Sequence, residues 1–579
     1  MSDDKRNTSV SLAMVGSGGA GVMTSGSLLL EAATKGGLYG LMTRTVGPQI
    51  RGGEAAALLR LADHPVRCMD DTFDILLAVD WKGAERFAAE VPLSSNSLII
   101  TDPAAGDIPE ILLASGAAVV EIPVGALAGA IEGGRENMVI LGIVSALIGL
   151  AEGTINKVIT RKIASKGDAA VTASLDALHG GYQAAKEVTS PVTVSPSDST
   201  GEGRWLISGN QAAGFGALRG GIRFVAAYPI TPATEILEWM SPNLPKVGGT
   251  LVQAEDELAS INMAIGASFG GKPSLTATSG PGLSLMMEGI GLAVASETPV
   301  VVVNVMRGGP STGIPTKSEQ TDLNIAIYGL HGDAPHIVTA ATSVEDCIFT
   351  TQWSVHLAEA LQTVAIVLSD QFMGQASAVI DPPANLSFMA NRLVEKAPTE
   401  DYRRYAVTAD GVSPMTLPGT KGGQYTADGL EHNPKGLPST LMEDHRDQMA
   451  KRDRKLAEYN YGDHWADVEG DENSEFVLLT WGSTTNAVRE AADRLKQQGY
   501  NCKLVAMRLL LPAVPEQFDE TLKGAGRILV VEQSHSGQFL KLLRANYDMP
   551  GEVRSFRRAG PLIIRPGEIV DTVKNWRVQ

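Results

Sequence analysis

The chain has 579 residues, 44% of them hydrophobic and 20% charged, with a formal net charge of −17. That length predicts about three domains, and the negative balance disfavours nucleic acid and anionic membrane surfaces as partners. Three widely spaced cysteines, Cys68, Cys347 and Cys502, exclude a disulfide framework. They cannot ligate an iron–sulfur cluster by themselves, which takes about four clustered thiolates, so each reads as a small buried hydrophobe.

Taken in order, the first block (1–188) opens with SVSLAMVGSGGAGVMTSGSLLLEAATKGG: a strand, a glycine loop and a helix, with Gly16, Gly18 and Gly21 in a G-x-G-x-x-G pattern. A dinucleotide site would need an acid at the end of the next strand, and LMTRTV (Leu41 to Val46) has none. The loop is left to cradle a phosphate at the helix amino end or to allow tight strand–helix packing. Further β/α alternation follows in DILLAVD, NSLIITD and AAVVEIP. The longest apolar run, Met138 to Ala151, is too short to span a bilayer and predicts a core helix. The amino terminus lacks the basic, apolar and small-residue order of a signal peptide, which points to the cytoplasm.

Residues 189–203, TSPVTVSPSDSTGEG without the first-block period, form a Pro-, Ser- and Gly-rich linker. The block 204–384 alternates strands (FVAAYPI, SLTAT, VVVVNVM, TVAIVLS) with helices, the pattern of a doubly wound sheet. It holds the densest set of candidate residues, Ala227 to Thr321. VQA reads as a strand end, and the residues after it have helical period. Leu258, Ile265 and Phe269 are expected to share the apolar stripe, with Glu255 at its edge and Asp256 and Glu257 pointing elsewhere. An acid beside an apolar face needs a partner, so Glu255 is the functional candidate and the other two are first-turn acids favoured by the helix dipole. Arg307 ends the β-branched run Val300 to Met306 and enters Gly-Gly-Pro-Ser-Thr-Gly. An arginine there suits a carboxylate through a bidentate fork and equally suits tying down its own loop.

The segment 385–473 is rich in charges and turn pairs, with one helical run, DHRDQMAKRDRKLAEY, whose mixed charges read as a solvated face. It carries no catalytic constellation and is expected to wrap other domains or a partner. The last block, 474–579, alternates β and α again. His535 in its Ser-His-Ser-Gly loop is more often an incidental loop histidine than a catalytic one.

YPITP at Tyr228 to Pro232, the acid at Glu255, TSGPGLSLM from Thr278, RGGPSTGIPT from Arg307 and KSEQTDL from Lys317 resemble the α subunits of 2-oxoacid:ferredoxin oxidoreductases. Within that family the likeness is to the 2-oxoglutarate:ferredoxin (2-oxoglutarate synthase) form with a fused N-terminal γ domain, and GPQIRGGEAAALLRL (Gly47 to Leu61) is similar to the γ domain. The resemblance implies an α/β fold of three parts: a γ-type domain, a thiamine-diphosphate pyrimidine-binding domain and a transketolase C-terminal-like domain. It implies oxidative decarboxylation of 2-oxoglutarate to succinyl-CoA and CO2 with reduction of ferredoxin, or the reverse reaction in CO2 fixation by a reductive TCA cycle. Alternatives are a pyruvate or broad 2-oxoacid enzyme, a non-redox thiamine enzyme component and a scaffolding paralogue. Thiamine diphosphate would be shared with a β subunit that carries Mg2+ and a [4Fe–4S] cluster, in an (αβ)2 heterotetramer with coenzyme A as co-substrate. No GDG motif for the diphosphate and metal is found in this chain. By position, Glu255 matches the acid at the aminopyrimidine ring, and Tyr228, Pro229, Ile230 and Ser279 fall at the cofactor. Thr231 and Arg307 match residues at the substrate carboxylate, Thr316 falls where the family has a substrate-loop threonine, and Lys317 is a candidate for the distal carboxylate.

Overall fold

In a computed structural model the described residues are 9–47, 53–195, 201–472 and 474–578. Part of the GPQIRGGEAAALLRL segment and the middle of the linker lie outside them. The chain divides into two compact units. The first comprises Met1–Ser208, Gln375–Pro383 and Arg565–Gly567, and the second Gly209–Gly374, Ala384–Ile564 and Glu568–Gln579.

The first unit is built on an eight-stranded mixed sheet in the order Ala118–Glu121, Leu98–Thr101, Ile75–Ala78, Ser9–Gly16, Ala55–Ala62, Tyr39–Val46, Ser377–Ile380, Trp205–Ser208. Leu12, Met14, Leu59, Leu77 and Ile100 from its strands pack with Met138, Val139, Ile143 and Val144 of helix Glu136–Leu147. The apolar run Met138 to Ala151 is thus the expected core helix over most of its length. Among the described residues no helix is long and apolar enough to cross a membrane.

Pairing in this sheet shows why the glycine pattern is not a dinucleotide fingerprint. Ser9–Gly16 lies between antiparallel Ala55–Ala62 and parallel Ile75–Ala78, and Tyr39–Val46 pairs with the far edge of Ala55–Ala62. The strand after the first helix is therefore not the parallel neighbour that a Rossmann βαβ unit requires. The loop is also closed by a carboxylate: Asp80 accepts from the Ser17 backbone N–H (2.8 Å) and the Ser17 hydroxyl (2.8 Å).

The second unit contains a seven-stranded sheet in the order Leu509–Leu511, Ile337–Ala340, Val364–Asp370, Val300–Met306, Ser274–Thr278, Phe224–Ala227, Thr250–Gln253. Only Leu509–Leu511 is antiparallel to its neighbour. All seven residues of Val300–Met306 are buried, as a β-branched run covered on both faces should be. A five-stranded sheet (Ala466–Glu469, Cys502–Met507, Phe476–Trp481, Arg527–Glu532, Glu552–Arg557) forms the last block. Cys68, Cys347 and Cys502 are all buried and free.

Helix Met442–Ala457 corrects an expectation. Its charges are only in part a solvated face: Glu443, Arg446 and Asp453 are exposed, but Lys451, Arg452 and Lys455 are buried. Lys451 and Lys455 ammonium groups reach the fully buried Glu297 carboxylate at 2.5 and 3.0 Å. Arg404 donates to the Glu297 backbone carbonyl (2.8 Å) and to Gln362 Oε1 (2.7 Å). Burial works to raise the Glu297 pKa, but Lys455, Lys451 and Arg404 together hold it well below the usual carboxylate range. Burial also pulls Lys451 down to about 7 despite the attraction of Glu297. Charge spacing along a helix cannot reveal this, because the counter-ion sits more than a hundred residues earlier in the chain. The connecting segment is thus anchored from inside.

Candidate functional site

The seven-stranded sheet changes direction at Phe224–Ala227. The chain steps to Thr250–Gln253 on one side of it and then returns to Ser274–Thr278 on the other. Loops leaving the carboxyl ends of strands at such a switch point diverge and leave a crevice. Four loops meet there: Tyr228 to Pro232, Ala254 to Asp256, the Ser279 turn, and the long loop that begins at Arg307.

The three acids after Thr250–Gln253 have three different fates. Asp256 caps helix Glu257–Phe269, accepting from the Ala259 N–H at 2.7 Å. Glu255 lies before the helix and is exposed. Glu257 is buried, at 6% exposure, whereas Leu258 is 50% exposed. The inward face is set by Glu257, Ser260, Ile261, Ala264, Ile265 and Ser268. Ile265 is where the apolar spacing placed it, but Leu258 points out and Glu257 points in. Three chain positions of apolar spacing could not fix the helix phase, because small residues (Ser260, Ala264, Ser268) fill much of the buried stripe against helix Gly280–Ala295.

Gly282, in the first turn of Gly280–Ala295, makes room for the Glu257 side chain. A Cβ at Gly282 would lie 2.6 Å from both Cγ and Oε1 of Glu257 and 2.1 Å from Thr278 Oγ1. Ser279, fully buried, has no hydrogen-bond partner for its Oγ among the described residues. A buried carboxyl and a buried unpartnered hydroxyl in one loop cluster are costly unless a ligand meets them.

Arg307 is 7% exposed and joins two loops. Its Nη1 donates to the Thr231 carbonyl (2.7 Å) and its Nη2 to the Thr312 carbonyl (2.7 Å). Of the two roles open to it from sequence, the loop-tying one is therefore present, and its Nε is buried without a partner among the described residues. Asn210 secures the other side of the Tyr228 to Pro232 loop through the Pro232 carbonyl (2.8 Å). Tyr228 is exposed, and Pro229, Ile230 and Thr231 are half-buried.

Beside Arg307 opens a cleft of about 670 Å3 lined in part by Gly280, Ser284, Thr312, Glu319, Asp322 and His535. Thr316 and Lys317 are half-buried in the same loop but do not line it. The loop is stitched to the last block by glutamines: Gln320 Nε2 donates to the Trp481 carbonyl (2.8 Å), its Oε1 accepts from the Gln533 N–H (2.7 Å), and Gln538 Nε2 donates to the Thr321 carbonyl (2.9 Å). That stitching brings His535 to the cleft, which its lone position in the sequence did not suggest.

Three family models match the chain in order: pyruvate ferredoxin/flavodoxin oxidoreductase over residues 11–184, the thiamine-diphosphate-binding part of pyruvate flavodoxin/ferredoxin oxidoreductase over 215–451, and the transketolase C-terminal domain over 466–538. The 2-oxoglutarate synthase subunit KorA of Methanothermobacter thermautotrophicus is 33% identical over 64% of this chain and 98% of that protein. The chain belongs to the 2-oxoacid:ferredoxin oxidoreductase family. A solved 2-oxoglutarate:ferredoxin oxidoreductase from Magnetococcus marinus, with 2-oxoglutarate, coenzyme A and succinyl-CoA bound, is 35% identical, with a TM-score of 0.91 over 98% of this chain and 100% of that one. The 2-oxoacid:ferredoxin oxidoreductase subunit alpha of Saccharolobus solfataricus is 34% identical, and the match spans 60% of that protein's length.

The residues present suit the ring half of the thiamine diphosphate used by this family. Glu257 offers a carboxyl in a cradle that any side chain at position 282 would fill, and Ser279 offers a spare hydroxyl. Among the described residues no group of three His, Cys, Asp or Glu side chains is gathered as a metal site.

Proposed function

We propose that the chain is the α subunit of a coenzyme A-dependent 2-oxoglutarate:ferredoxin oxidoreductase: 2-oxoglutarate, coenzyme A and two oxidised ferredoxins give succinyl-CoA, CO2, a proton and two reduced ferredoxins. The observation that carries this reading is the end-to-end likeness to the Magnetococcus marinus enzyme, joined to a switch-point crevice with a buried acid and a strand-end arginine. Thiamine diphosphate, when bound, supplies a carbon nucleophile for the keto group and a sink for the electron pair released by decarboxylation.

Glu257 takes the role that sequence position alone gave to Glu255. Its buried carboxyl would hold a ring nitrogen of the pyrimidine and keep a proton there. Ser279, with Tyr228, Pro229 and Ile230, would border the same ring. Arg307 supports the Thr231 and Thr312 loops and places positive charge at the cleft for the 2-oxoacid carboxylate. Thr316 and Lys317 act behind the cleft wall, on the loop that carries it.

The diphosphate, Mg2+ and a [4Fe–4S] cluster belong to a β subunit, in an (αβ)2 assembly located in the cytoplasm. Exposed Leu258, Met263 and Leu285, on the two helices that flank Glu257, support such packing. The test is reconstitution with a β subunit, followed by 2-oxoglutarate- and coenzyme A-dependent reduction of ferredoxin. Full turnover by this chain alone would overturn the shared site. A higher kcat/KM for pyruvate than for 2-oxoglutarate would overturn the substrate.

A further inference from the structure

Neither acid of the cleft, Glu319 or Asp322, makes an ion pair among the described residues, and of the two it is Asp322 that is held by a neutral side-chain amide. Asp322 lies just before the short helix Leu323–Tyr328, is half-buried and lines the cleft with Arg307. Its Oδ2 accepts from Asn304 Nδ2 at 2.9 Å, and Asn304 is fully buried on strand Val300–Met306. Both of its oxygens press on the first turn of Gly280–Ala295: a Cβ at Gly280 would lie 2.7 and 2.8 Å from them. Arg307 is near enough to be felt, yet its two terminal nitrogens are committed to the Thr231 and Thr312 carbonyls. Asn304 is a neutral donor, which fixes the Asp322 side chain without fixing its charge.

We propose that Asp322 is an internal anion that competes with the substrate carboxylate for the field of Arg307, so that a 2-oxoacid entering the cleft makes Asp322 take up a proton. This rests on the reading of the cleft as the 2-oxoacid site. The proton comes from solvent on binding and returns to solvent when the product leaves, so it does not enter the net reaction. The charged and titratable groups that line the cleft with Asp322 are Arg307 at the end of its strand, Glu319 on the same loop and His535 from the last block. Glu319 is itself engaged, with Oε1 accepting from the Gly560 N–H at 2.7 Å. Burial raises Asp322 to about 6, against the hydrogen bond from Asn304 and the charge of Arg307, while Glu319 adds to the rise. A second carboxylate at the same cleft raises it again.

The consequence for selectivity is direct. An anion must overcome Asp322, whereas a neutral keto compound gains nothing from its protonation, so the pH dependence belongs to 2-oxoacids in particular. The test uses the reconstituted complex. KM and kcat for 2-oxoglutarate are measured from about pH 5.5 to about pH 8.5, and binding calorimetry in two buffers of different ionisation enthalpy counts protons near neutrality. In the wild type, KM should rise above about pH 6, by up to roughly tenfold per unit, while kcat stays level, with most of one proton taken up on binding. Asp322→Asn, which keeps an acceptor for Asn304, should bind 2-oxoglutarate without proton uptake and with roughly tenfold lower KM near pH 8. Asp322→Glu should restore the slope. An unchanged slope in Asp322→Asn, or a wild type that binds 2-oxoglutarate with no proton uptake, overturns the proposal and leaves the function standing. A wild-type complex that does not bind 2-oxoglutarate overturns the reading of the cleft and this proposal with it. The wild-type proton count needs no variant, so a folding defect in Asp322→Asn does not shield the idea.

Discussion

Two regions of the second unit bury charge, and they do so in opposite ways. Around Glu297 the carboxylate is matched by cations: two lysines reach it, an arginine holds the backbone carbonyl, and Ser413 receives Lys451 at 2.8 Å, while Arg404 Nε lacks a partner among the described residues. At the switch point the polar groups are left wanting. Glu257 is buried beside a glycine, Ser279 Oγ and Arg307 Nε lack partners among the described residues, and Asp322 has a neutral amide where a cation would suit it. Burying a charge without a partner is expensive, and a fold keeps such groups where a ligand completes them. A carboxylate matched by cations holds the connecting segment in place; the acids at the switch point, matched by none, lie in the proposed site.

The sharpest way to break this contrast is to neutralise one acid from each region. Glu257→Gln keeps the shape and removes the ionisable group, so turnover of the reconstituted complex should fall roughly a hundred- to ten-thousandfold while assembly survives. Glu255→Gln should leave turnover nearly unaltered. The reverse ranking would return the role to the exposed acid and remove the argument from burial. Glu297→Gln should act on stability instead, costing about 3–5 kcal/mol because three buried cations lose their anion. Since the folded-state pKa of Glu297 is depressed, its stabilisation is present above the ordinary carboxylate range and is lost as pH falls through and below it. Urea titrations of wild type and Glu297→Gln should therefore converge in acid. A constant gap across pH would mean that shape rather than charge holds the segment.

How much of this contrast the sequence discloses differs between the regions. The α/β alternation, the buried strand Val300–Met306 and the loops at strand ends follow from period and composition, because those signals are local. The phase of helix Glu257–Phe269 does not, since its buried stripe is largely Ser and Ala and the exposed Leu258 imitates a core position. Helix Met442–Ala457 misleads for a different reason: its partner, Glu297, lies far away in the chain and in a left-handed backbone conformation just past the end of another helix. Ser377–Ile380 joining the first sheet beside Tyr39–Val46 is equally non-local. Asp322 and Gln320 stand inside the quoted KSEQTDL motif, but only the fold shows that one faces the cleft and the other the last block.

Arg307 lies between the two regimes, because it is partly satisfied and partly not. Arg307→Ala should weaken every 2-oxoacid by about 2–5 kcal/mol, the range for unpairing one member of a buried charge pair. It should also loosen the Thr231 and Thr312 loops, which lose a donor each. Arg307→Lys should recover only part of the affinity, since an ammonium cannot reach two carbonyls in a fixed fork. The comparison is sharpened by measuring kcat/KM with 2-oxoglutarate and pyruvate side by side: a loss confined to one of them would place Arg307 at the side chain of the substrate rather than at the shared carboxylate.

A third kind of charge completes the series, and its predicted effect is the smallest. Glu400, Asp401 and Glu443 on the connecting segment are exposed. Exposed charges are screened by salt and contribute on the order of 0–1 kcal/mol to stability. They would matter for function only if an electron acceptor docked on them, because electrostatic complementarity sets association rate more than stability. The chain carries a net charge of −17, and an acidic acceptor would be repelled by it, so docking should be directed to the proposed β subunit instead. Glu400→Lys, Asp401→Lys and Glu443→Lys together should therefore leave ferredoxin reduction within about twofold at low salt, where such effects are largest. A large acceleration or slowing that vanishes at high salt would put the connecting segment at the docking site, and exposed charge would join unpartnered charge as a marker of function in this chain.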